Sequence, residues 1–338
     1  MGFLFLIFSK RLIIFFIKYL IGDFMDRTIK IIASVMLILF IIVVCSLLFM
    51  DSDDGVVDIA YIPSDHEAAL FVADAQEQYA KEGIKTKLVQ FEKGGDLMIA
   101  MASGSVDIGY AGITPTLSAI EKGVPIKVIS AVQTGGSGIV VSKNSEISSI
   151  SDLAGKKIAT PGDSSIQYLL LNYYLKQNGM SLDDVDVLAM EVPAMNDAIN
   201  TNKIDAMFTF EPYVTIASEN GAEVLVDSNE ILPNHPCCVV VASDKFIENH
   251  PNETRKIMEI HENATAYVNN NTDEAAKLLP DDIVSDVEVE KKALSNFPFL
   301  SGLDDDYKKS VMDFMNIEVD LGLLKQPLSQ DKIFWEGS

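Results

Sequence analysis

The chain is poor in cysteine, since its 338 residues include only Cys45, Cys237 and Cys238. Cys237 and Cys238 are neighbours, and adjacent residues cannot easily reach the geometry of an unstrained disulfide. The sequence therefore offers no framework of disulfide bonds, and a hydrophobic core must stabilise the fold. The length is enough for two domains with a sizeable core.

Positive charge is also scarce. The chain has 26 lysine and arginine residues against 49 aspartate and glutamate residues, which gives a net charge of −23. Residues 1–50 carry a net +3, so the rest carries −26, and Arg255 is the only arginine after residue 50. Such an acidic body does not suit nucleic acid or an anionic membrane surface. An anionic ligand would have to be attracted by local dipoles, because the overall field repels it.

Motifs of catalysis are missing as well. The sequence contains no Walker motif, no spacing typical of a nucleophile and its base, and no strong metal-ligand box. We therefore predict a protein that is not an enzyme, with no catalytic residue, no cofactor and no metal site.

A long apolar run stands near the N-terminus. Residues 31–50 are almost entirely apolar, and about 20 such residues span a bilayer core of about 30 Å. Arg27 and Lys30 precede the run and Asp51 follows it, so the positive-inside rule places the N-terminus in the cytoplasm. The sequence predicts an N-terminal membrane segment over 1–50, with its main span at 31–50. We expect an uncleaved anchor on the cell membrane, with the binding domain outside the cytoplasm.

Two details of this N-terminal segment leave alternatives open. Residues 3–21 form a shorter apolar stretch that could be a second membrane segment, and Met25 could be the true start of translation, which we favour. Cys45 could be a lipidation site, but Val44 precedes it and an apolar run follows it. We interpret Cys45 as an ordinary apolar residue of the span.

Short strands and helices alternate through most of the remaining chain, which is typical of an α/β fold with a largely parallel sheet. The predicted strands are 56–62, 86–91, 106–110, 126–132, 139–142, 156–159, 185–192, 204–210, 223–226 and 238–242. The helices predicted between them are 67–81, 96–103, 114–121, 165–177, 194–200 and 212–220. Only helical patterns follow, at 244–248, 253–269, 272–279, 287–295 and 304–321. Two α/β halves with a helical tail indicate two lobes, and we place the chain crossings near Lys143 and Pro233.

Several short motifs carry a resemblance to a known family. They are Met101-Ala-Ser-Gly-Ser-Val-Asp-Ile-Gly109, Ile150-Ser-Asp-Leu-Ala-Gly-Lys-Lys-Ile158, Lys203-Ile-Asp-Ala-Met207, Phe210-Glu-Pro-Tyr213 and Phe246-Ile-Glu-Asn-His-Pro251. In this order and at this spacing, over about residues 56–280, they resemble the substrate-binding proteins of ABC transporters of the nitrate/sulfonate/taurine class. Each motif alone is weak, but together they are quite specific for the fold.

The resemblance implies a type II periplasmic-binding-protein-like fold, in which two lobes close about a hinge over a small molecule. The first lobe would comprise 55–142 plus 239–338, and the second lobe would comprise 143–238. The implied partners are a small-molecule ligand, an ABC permease and its ATPase, and the body would be monomeric. Open α/β sheets bind ligands at the carboxyl ends of their strands, which independently places the ligand between the lobes.

The strongest candidate for a ligand contact is the helix start at Ser164, Ser165 and Gln167. It follows the strand at 156–159 and a turn with Gly162, and the free N–H groups of a helix start attract anions. Capping of the helix by a serine is the alternative. In a chain with no arginine nearby, this helix start would carry much of any anion binding.

Further candidates follow other predicted strands or lie in glycine-rich turns. For most of them, helix capping or a simple connector is an equally good interpretation. Glu211 could accept a hydrogen bond from a ligand amine, and it could equally cap the helix that begins at Pro212. The full set is Ser64, His66, Thr114, Ser137, Asn196, Glu211, Tyr213 and His235.

The segment His235-Pro-Cys-Cys238 departs from the common family pattern. Imidazole and thiolate groups suit a soft metal ion, but three potential ligands within four residues rarely converge on one ion. We therefore interpret the segment as a loop followed by a buried strand. We expect Cys238 to pack in the core and Cys237 or His235 to approach the cleft.

The predicted function is capture of a small organic anion or zwitterion, such as a sulfonate, taurine or nitrate, for import. A receptor for thiamine-pyrimidine precursors is the alternative, because Tyr61, Tyr110, Glu211 and Tyr213 could hold an aromatic amine. An enzyme that resembles the fungal pyrimidine synthases is the less favoured alternative, because that chemistry is intracellular and the predicted anchor places this domain outside.

Overall fold

The computed structural model describes residues 35–36, 39–40, 55–143, 145–283 and 286–337. Most of the predicted span at 31–50, and with it Met25 and Cys45, lies outside the described residues. Among the residues that are described, no helix is both long enough and apolar enough to cross a membrane. Residues 55–338 group into one unit by their contacts, and the fold of that unit is described below.

In the part of the chain that the structure describes, ten strands form two five-stranded sheets. The strands are β1 (Val56–Tyr61), β2 (Lys85–Gln90), β3 (Ile108–Gly112), β4 (Ile126–Thr134), β5 (Ser137–Val141), β6 (Lys157–Thr160), β7 (Asp186–Ala189), β8 (Ala206–Phe210), β9 (Glu223–Asp227) and β10 (Pro236–Ser243). The first sheet has the order β2-β1-β3-β10-β4, and the second has the order β7-β6-β8-β5-β9. Each sheet is mixed, because β10 runs antiparallel to β3 and β4, and β5 runs antiparallel to β8 and β9. Four strands of each sheet therefore run in the same direction and only β10 or β5 opposes them, which fits the prediction of a largely parallel sheet.

Helices cover the faces of both sheets. They are α1 (Ala68–Ala75), α2 (Gln78–Lys81), α3 (Gly94–Ser103), α4 (Ile113–Glu121), α5 (Ile166–Gln177), α6 (Val192–Asn200), α7 (Tyr213–Glu219), α8 (Ser228–Ile231), α9 (Asp244–Asn249), α10 (Pro251–Asn270), α11 (Thr272–Ala275), α12 (Val287–Ala293), α13 (Asp305–Asp320) and α14 (Gln330–Ile333). Short 3-10 turns lie at Asp65–Glu67, Ile150–Leu153, Leu182–Asp184 and Ala276–Leu278. The helix predicted at 67–81 is divided between α1 and α2, because Glu77 adopts a left-handed conformation with φ of 55°.

The first crossing between the sheets differs from the expected one near Lys143. Strand β5 pairs with β8 and β9 of the second sheet, so the chain already crosses at Gly135 and Gly136. Both glycines have positive φ, at 69° and 77°, a conformation that residues with a side chain rarely adopt. The return crossing lies between α8 and β10, close to the expected Pro233. Strand β10 is part of the first sheet and begins at Pro236. Cys237 and Cys238 therefore belong to the first lobe, although the expected boundary placed them in the second.

The helical tail packs against the first sheet. Helix α10 contacts α1, and Nδ1 of its buried His261 accepts a hydrogen bond from the hydroxyl of Tyr110 at 3.2 Å. The other ring nitrogen, Nε2, lies 2.8 Å from the carbonyl oxygen of Ala131. Burial lowers the pKa of His261 to about 4, so this ring is neutral and structural.

Candidate functional site

A cavity of about 90 Å³ lies between the two sheets. Both lobes contribute to its wall. The residues that border it are Ile62, Ser64, His66, Glu67, Glu92, Lys93, Gly94, Gly112, Pro115, Cys237 and Cys238 from the first lobe, and Pro161, Ser164, Ser165, Ile166, Gln167, Val192 and Phe210 from the second. Four helices, α3, α4, α5 and α6, begin at this cavity. Their positive N-terminal ends therefore converge on one small volume.

The predicted helix start does border the cavity. Ser165 is the N-cap of α5: its hydroxyl oxygen accepts a hydrogen bond from the backbone N–H of Tyr168 at 3.2 Å and its hydroxyl donates to the carbonyl of Gly162 at 2.7 Å. Ser164 is exposed and has no such capping role. The two neighbouring serines are therefore distinct, because Ser165 holds the helix start in shape while Ser164 is presented to the cavity.

Gln167 and Ser137 form a buried pair. The side-chain amide of Gln167 donates to the hydroxyl of Ser137 at 2.9 Å, and the backbone N–H of Ser137 donates to the hydroxyl of Ser228 at 3.2 Å. Gln167 borders the cavity and Ser137 does not. Ser137 therefore fixes the orientation of Gln167 rather than reaching the cavity itself.

Ser64 and His66 stand at the opposite wall, on the turn after β1. The hydroxyl of Ser64 donates to the carbonyl of Glu211 at 3.0 Å and accepts from the backbone N–H of His66 at 3.1 Å. The imidazole Nε2 of His66 lies 3.0 Å from the carbonyl oxygen of Gly136. Both side chains are buried and border the cavity.

Glu211 is used as a cap. Its carboxylate accepts hydrogen bonds from the backbone N–H of Thr215 at 2.9 Å, from the hydroxyl of Thr215 at 3.0 Å and from the amide of Asn296 at 2.7 Å. Burial raises the pKa of Glu211. Glu211 does not border the cavity, so the capping interpretation fits it better than contact with a ligand amine.

Four other candidate residues also lie away from the cavity wall: Thr114, Asn196, Tyr213 and His235. Thr114 is buried in the first turn of α4, and its hydroxyl lies next to the carboxyl group of Glu318. Tyr213 packs edge-on against Phe210, with 6.0 Å between the ring centroids. His235 stacks on Phe314 at 6.2 Å. The signal at Thr114, Asn196 and Tyr213 was their place after a strand, which does not specify which way a side chain points, and His235 was chosen from the His-Pro-Cys-Cys segment.

The cavity also has charged residues that the sequence did not single out. Lys93 is the N-cap residue of α3, and Glu67 and Glu92 share the wall with it. Burial raises the pKa of Glu67 well above its usual range, and the nearby Cys237 adds to that rise. Burial therefore disfavours the charged form of Glu67, the form that would repel an anion.

Cys238 packs in the buried core, as expected, and both Cys237 and Cys238 also border the cavity. Their sulfur atoms lie 3.9 Å apart, and each is within 3.9 Å of Nδ1 of His66. The contact with Cys238 lowers the pKa of Cys237 well below its usual range and raises that of Cys238. The histidine of this group is thus His66, which is distant in sequence, and not His235 of the His-Pro-Cys-Cys segment.

Comparison with known proteins identifies relatives of this chain. The model of the NMT1-like family matches residues 51–279. A putative aliphatic sulfonates-binding protein of Bacillus subtilis is 30% identical over 225 residues, which cover 65% of this chain and 66% of the relative. The taurine-binding periplasmic protein of Escherichia coli is 34% identical over 201 residues, which cover 58% and 61%. The chain thus spans slightly less than two thirds of the length of these curated relatives.

The solved structures bear on the fold. The alkanesulfonate-binding protein of Xanthomonas axonopodis pv. citri, bound to MOPS, superimposes with a TM-score of 0.74 at 20% identity, over 84% of this chain and 99% of that one. Likeness at this identity shows the architecture alone. It confirms the two-lobed α/β fold that the sequence resemblance implied.

Proposed function

The chain belongs to the NMT1-like family, and from that membership we propose that it is the solute receptor of an ABC importer. Its ligand would be a small organic anion or zwitterion such as a sulfonate or taurine, held in the cavity between the lobes. The observation that carries the proposal is the convergence of the N-termini of α3, α4, α5 and α6 on that cavity.

Local dipoles can bind an anion here although the body of the chain carries −26. Each helix N-terminus presents unpaired N–H groups and about half a positive charge. Four such ends at one small volume, together with Lys93, attract an anion over a few ångströms against the carboxylate of Glu92 on the same wall. The acidic surface acts at longer range and is screened by salt.

The neutral donors of the second lobe give the site its directionality. The hydroxyl of Ser164 is free of a capping role, and Gln167 is held in place by Ser137. Ser64 and His66 form the facing wall; Ser64 bonds to Glu211 of the second lobe and His66 bonds to Gly136 at the crossing. A ligand that bridges the two walls would favour the closed arrangement by hinge motion about the two crossings.

The proposal includes an attachment to the membrane. The apolar run at 31–50, with basic residues before it and acidic residues after it, would tether the receptor outside the cytoplasm beside a permease and its ATPase. The curated relatives are named as binding proteins, one of them periplasmic, and receptors of this kind act outside the cytoplasm.

The pyrimidine alternative has less support. Tyr110 is fully buried beside His261, Glu211 is engaged as a cap, and Phe210 is the one Phe, Tyr or Trp side chain among the described residues that border the cavity. A stacked pyrimidine would need more than one aromatic wall.

A thermal-shift screen of the full chain in detergent tests the proposed function. The melting temperature is measured with taurine, an alkanesulfonate, nitrate or a hydroxymethylpyrimidine. Each compound is then recovered, and its mass is determined by mass spectrometry. A ligand at 100 times its Kd stabilises the folded state by about 2.7 kcal/mol. We expect a sulfonate or taurine to raise the melting temperature and to be recovered unchanged. A shift with the pyrimidine alone, or conversion of any compound, would contradict the proposal.

A further inference from the structure

Three soft donor atoms meet at one wall of the cavity. They are Nδ1 of His66 and the sulfur atoms of Cys237 and Cys238. The two sulfur atoms are 3.9 Å apart, and Nδ1 lies 3.9 Å from Cys237 and 3.8 Å from Cys238. All three side chains are buried.

A strand irregularity brings the two sulfur atoms together. Successive side chains of a regular strand point to opposite faces of the sheet, which would separate neighbouring cysteines. The pairing of β10 with β4 shifts register between Pro236 and Cys238 and again between Cys238 and Val239. Such bulges reorient side chains, and this one lets both thiols face His66.

The spacing of the three atoms matches a metal coordination shell. A nearly equilateral triangle with sides of 3.8 to 3.9 Å has its centre about 2.2 Å from each corner. Zinc binds cysteine sulfur at about 2.3 Å and histidine nitrogen at about 2.0–2.1 Å. An ion near the centre of the triangle would therefore reach all three atoms with little movement of the protein.

The hydrogen bonding of His66 also suits this residue to bind a metal ion. The carbonyl oxygen of Gly136 can only accept, so Nε2 of His66, 3.0 Å away, carries the proton and donates. The other nitrogen, Nδ1, then keeps its lone pair and faces the sulfur atoms. A hydrogen bond from the distal nitrogen to a carbonyl is the usual way in which proteins orient a metal-binding histidine.

We propose that His66, Cys237 and Cys238 bind one thiophilic divalent ion of the Zn²⁺ type, with its remaining coordination position open to the cavity. Both thiols lose their protons to solvent on binding, and the two thiolates neutralise the ion. Three protein ligands with one open position are characteristic of zinc sites that accept a further ligand. The inference does not depend on the proposed function, because it concerns binding of the ion alone.

Cobalt titration of the reduced, metal-free full chain tests the site. Co²⁺ reports thiolate ligation through an intense near-ultraviolet charge-transfer band and tetrahedral geometry through its visible bands. We expect both signals to saturate at one Co²⁺ per chain and to vanish when Zn²⁺ is added. Cys237→Ser and Cys238→Ser should each abolish most of the charge-transfer band, and His66→Gln should weaken binding at least tenfold.

Two matched controls separate this site from other thiols and histidines. Cys45→Ser removes the third cysteine, and His235→Gln removes the histidine adjacent in sequence; both should leave the titration unchanged. If Cys45→Ser or His235→Gln abolishes the signal, or if the unaltered chain shows none, the proposal is wrong. X-ray absorption of the zinc-loaded unaltered chain needs no variant, and a first shell without two sulfur atoms would equally overturn it.

Discussion

Ser64 donates its hydroxyl proton to the backbone carbonyl oxygen of Glu211 at 3.0 Å, and so joins the two lobes. The same hydroxyl oxygen accepts a hydrogen bond from the backbone N–H of His66 at 3.1 Å. One buried side chain therefore caps a helical turn of the first lobe and holds that turn against the end of β8 in the second lobe. The helix cap and the link between lobes can be separated by experiment.

Replacement of Ser64 by alanine should both destabilise the protein and loosen the lobes. Loss of an N-cap serine costs about 1 kcal/mol, and the buried carbonyl left without its partner adds about 1 kcal/mol or more. Urea unfolding measures the stability, and small-angle X-ray scattering of the ligand-free protein measures the opening. The control is Ser181→Ala, which removes an exposed cap within the second lobe. If Ser181→Ala opens the lobes as much as Ser64→Ala does, the hydrogen bond from Ser64 to Glu211 does not hold the lobes together.

The two serines at the start of α5 should separate ligand affinity from stability. Ser165→Ala removes the cap of the helix and should lower the free energy of unfolding by about 1 kcal/mol. Ser164→Ala should leave that free energy unchanged and weaken the binding of taurine or an alkanesulfonate about tenfold, because a hydrogen bond to a charged group is worth about 1.5 kcal/mol. Calorimetric titration and urea unfolding of both variants test this. An unaltered affinity in Ser164→Ala would show that Ser164 does not bind the ligand.

Much of the fold could be predicted because its signals are local. The cap at Ser165 and the glycine that follows α3, Gly104, are readable within a few residues, and the strands alternate or run apolar. The local sequence does not indicate to which sheet β5 belongs. Its residues Ile139–Val141 are as apolar as those of β4, and only pairing with β8, remote in the chain, decides its sheet.

The site was predicted less completely for the same physical reason. His66 and Cys237 are 171 residues apart, and their contact depends on the order of strands in the first sheet and on the bulge of β10. Lys93 and Glu67 reach the cavity because helices begin there, yet a lone charged residue gives no signal in the sequence. Thr114 follows a strand as predicted, but the packing of α13 against α4 turns it toward Glu318.

Gly136 should tolerate no side chain, because it combines positive φ with close contact. A Cβ atom there would lie 2.6 Å from Nε2 of His66, and φ is 77°. Gly136→Ala should therefore displace His66 and lower the free energy of unfolding by more than backbone strain alone would. Gly83→Ala is a matched control, since Gly83 also has φ of 77° but nothing within 4 Å of an added Cβ. We expect Gly136→Ala to be the more destabilising by about 1–3 kcal/mol in urea unfolding. Equal costs would contradict the close contact with His66.

Two buried glutamates should each lower stability as pH rises from about 4.5 to about 8, whereas buried His261, whose pKa is lowered from 6.5 to about 4, raises stability between those two values. Burial raises the pKa of Glu318 from 4.5 to about 8, and burial followed by the charge of Glu211 does the same for Glu290. Between these values the folded state keeps a proton that the unfolded state has released, so each group lowers the free energy of unfolding by up to about 1.4 kcal/mol per pH unit.

Glu318→Gln should remove its share of this slope in urea unfolding across that range and should raise stability near pH 8, since the amide cannot ionise. Glu290 still titrates in that variant, so part of the slope remains. Glu262→Gln, on the exposed face of α10, should leave the slope as it is. An identical slope in Glu318→Gln and the unaltered protein would mean that Glu318 is already ionised in the folded state.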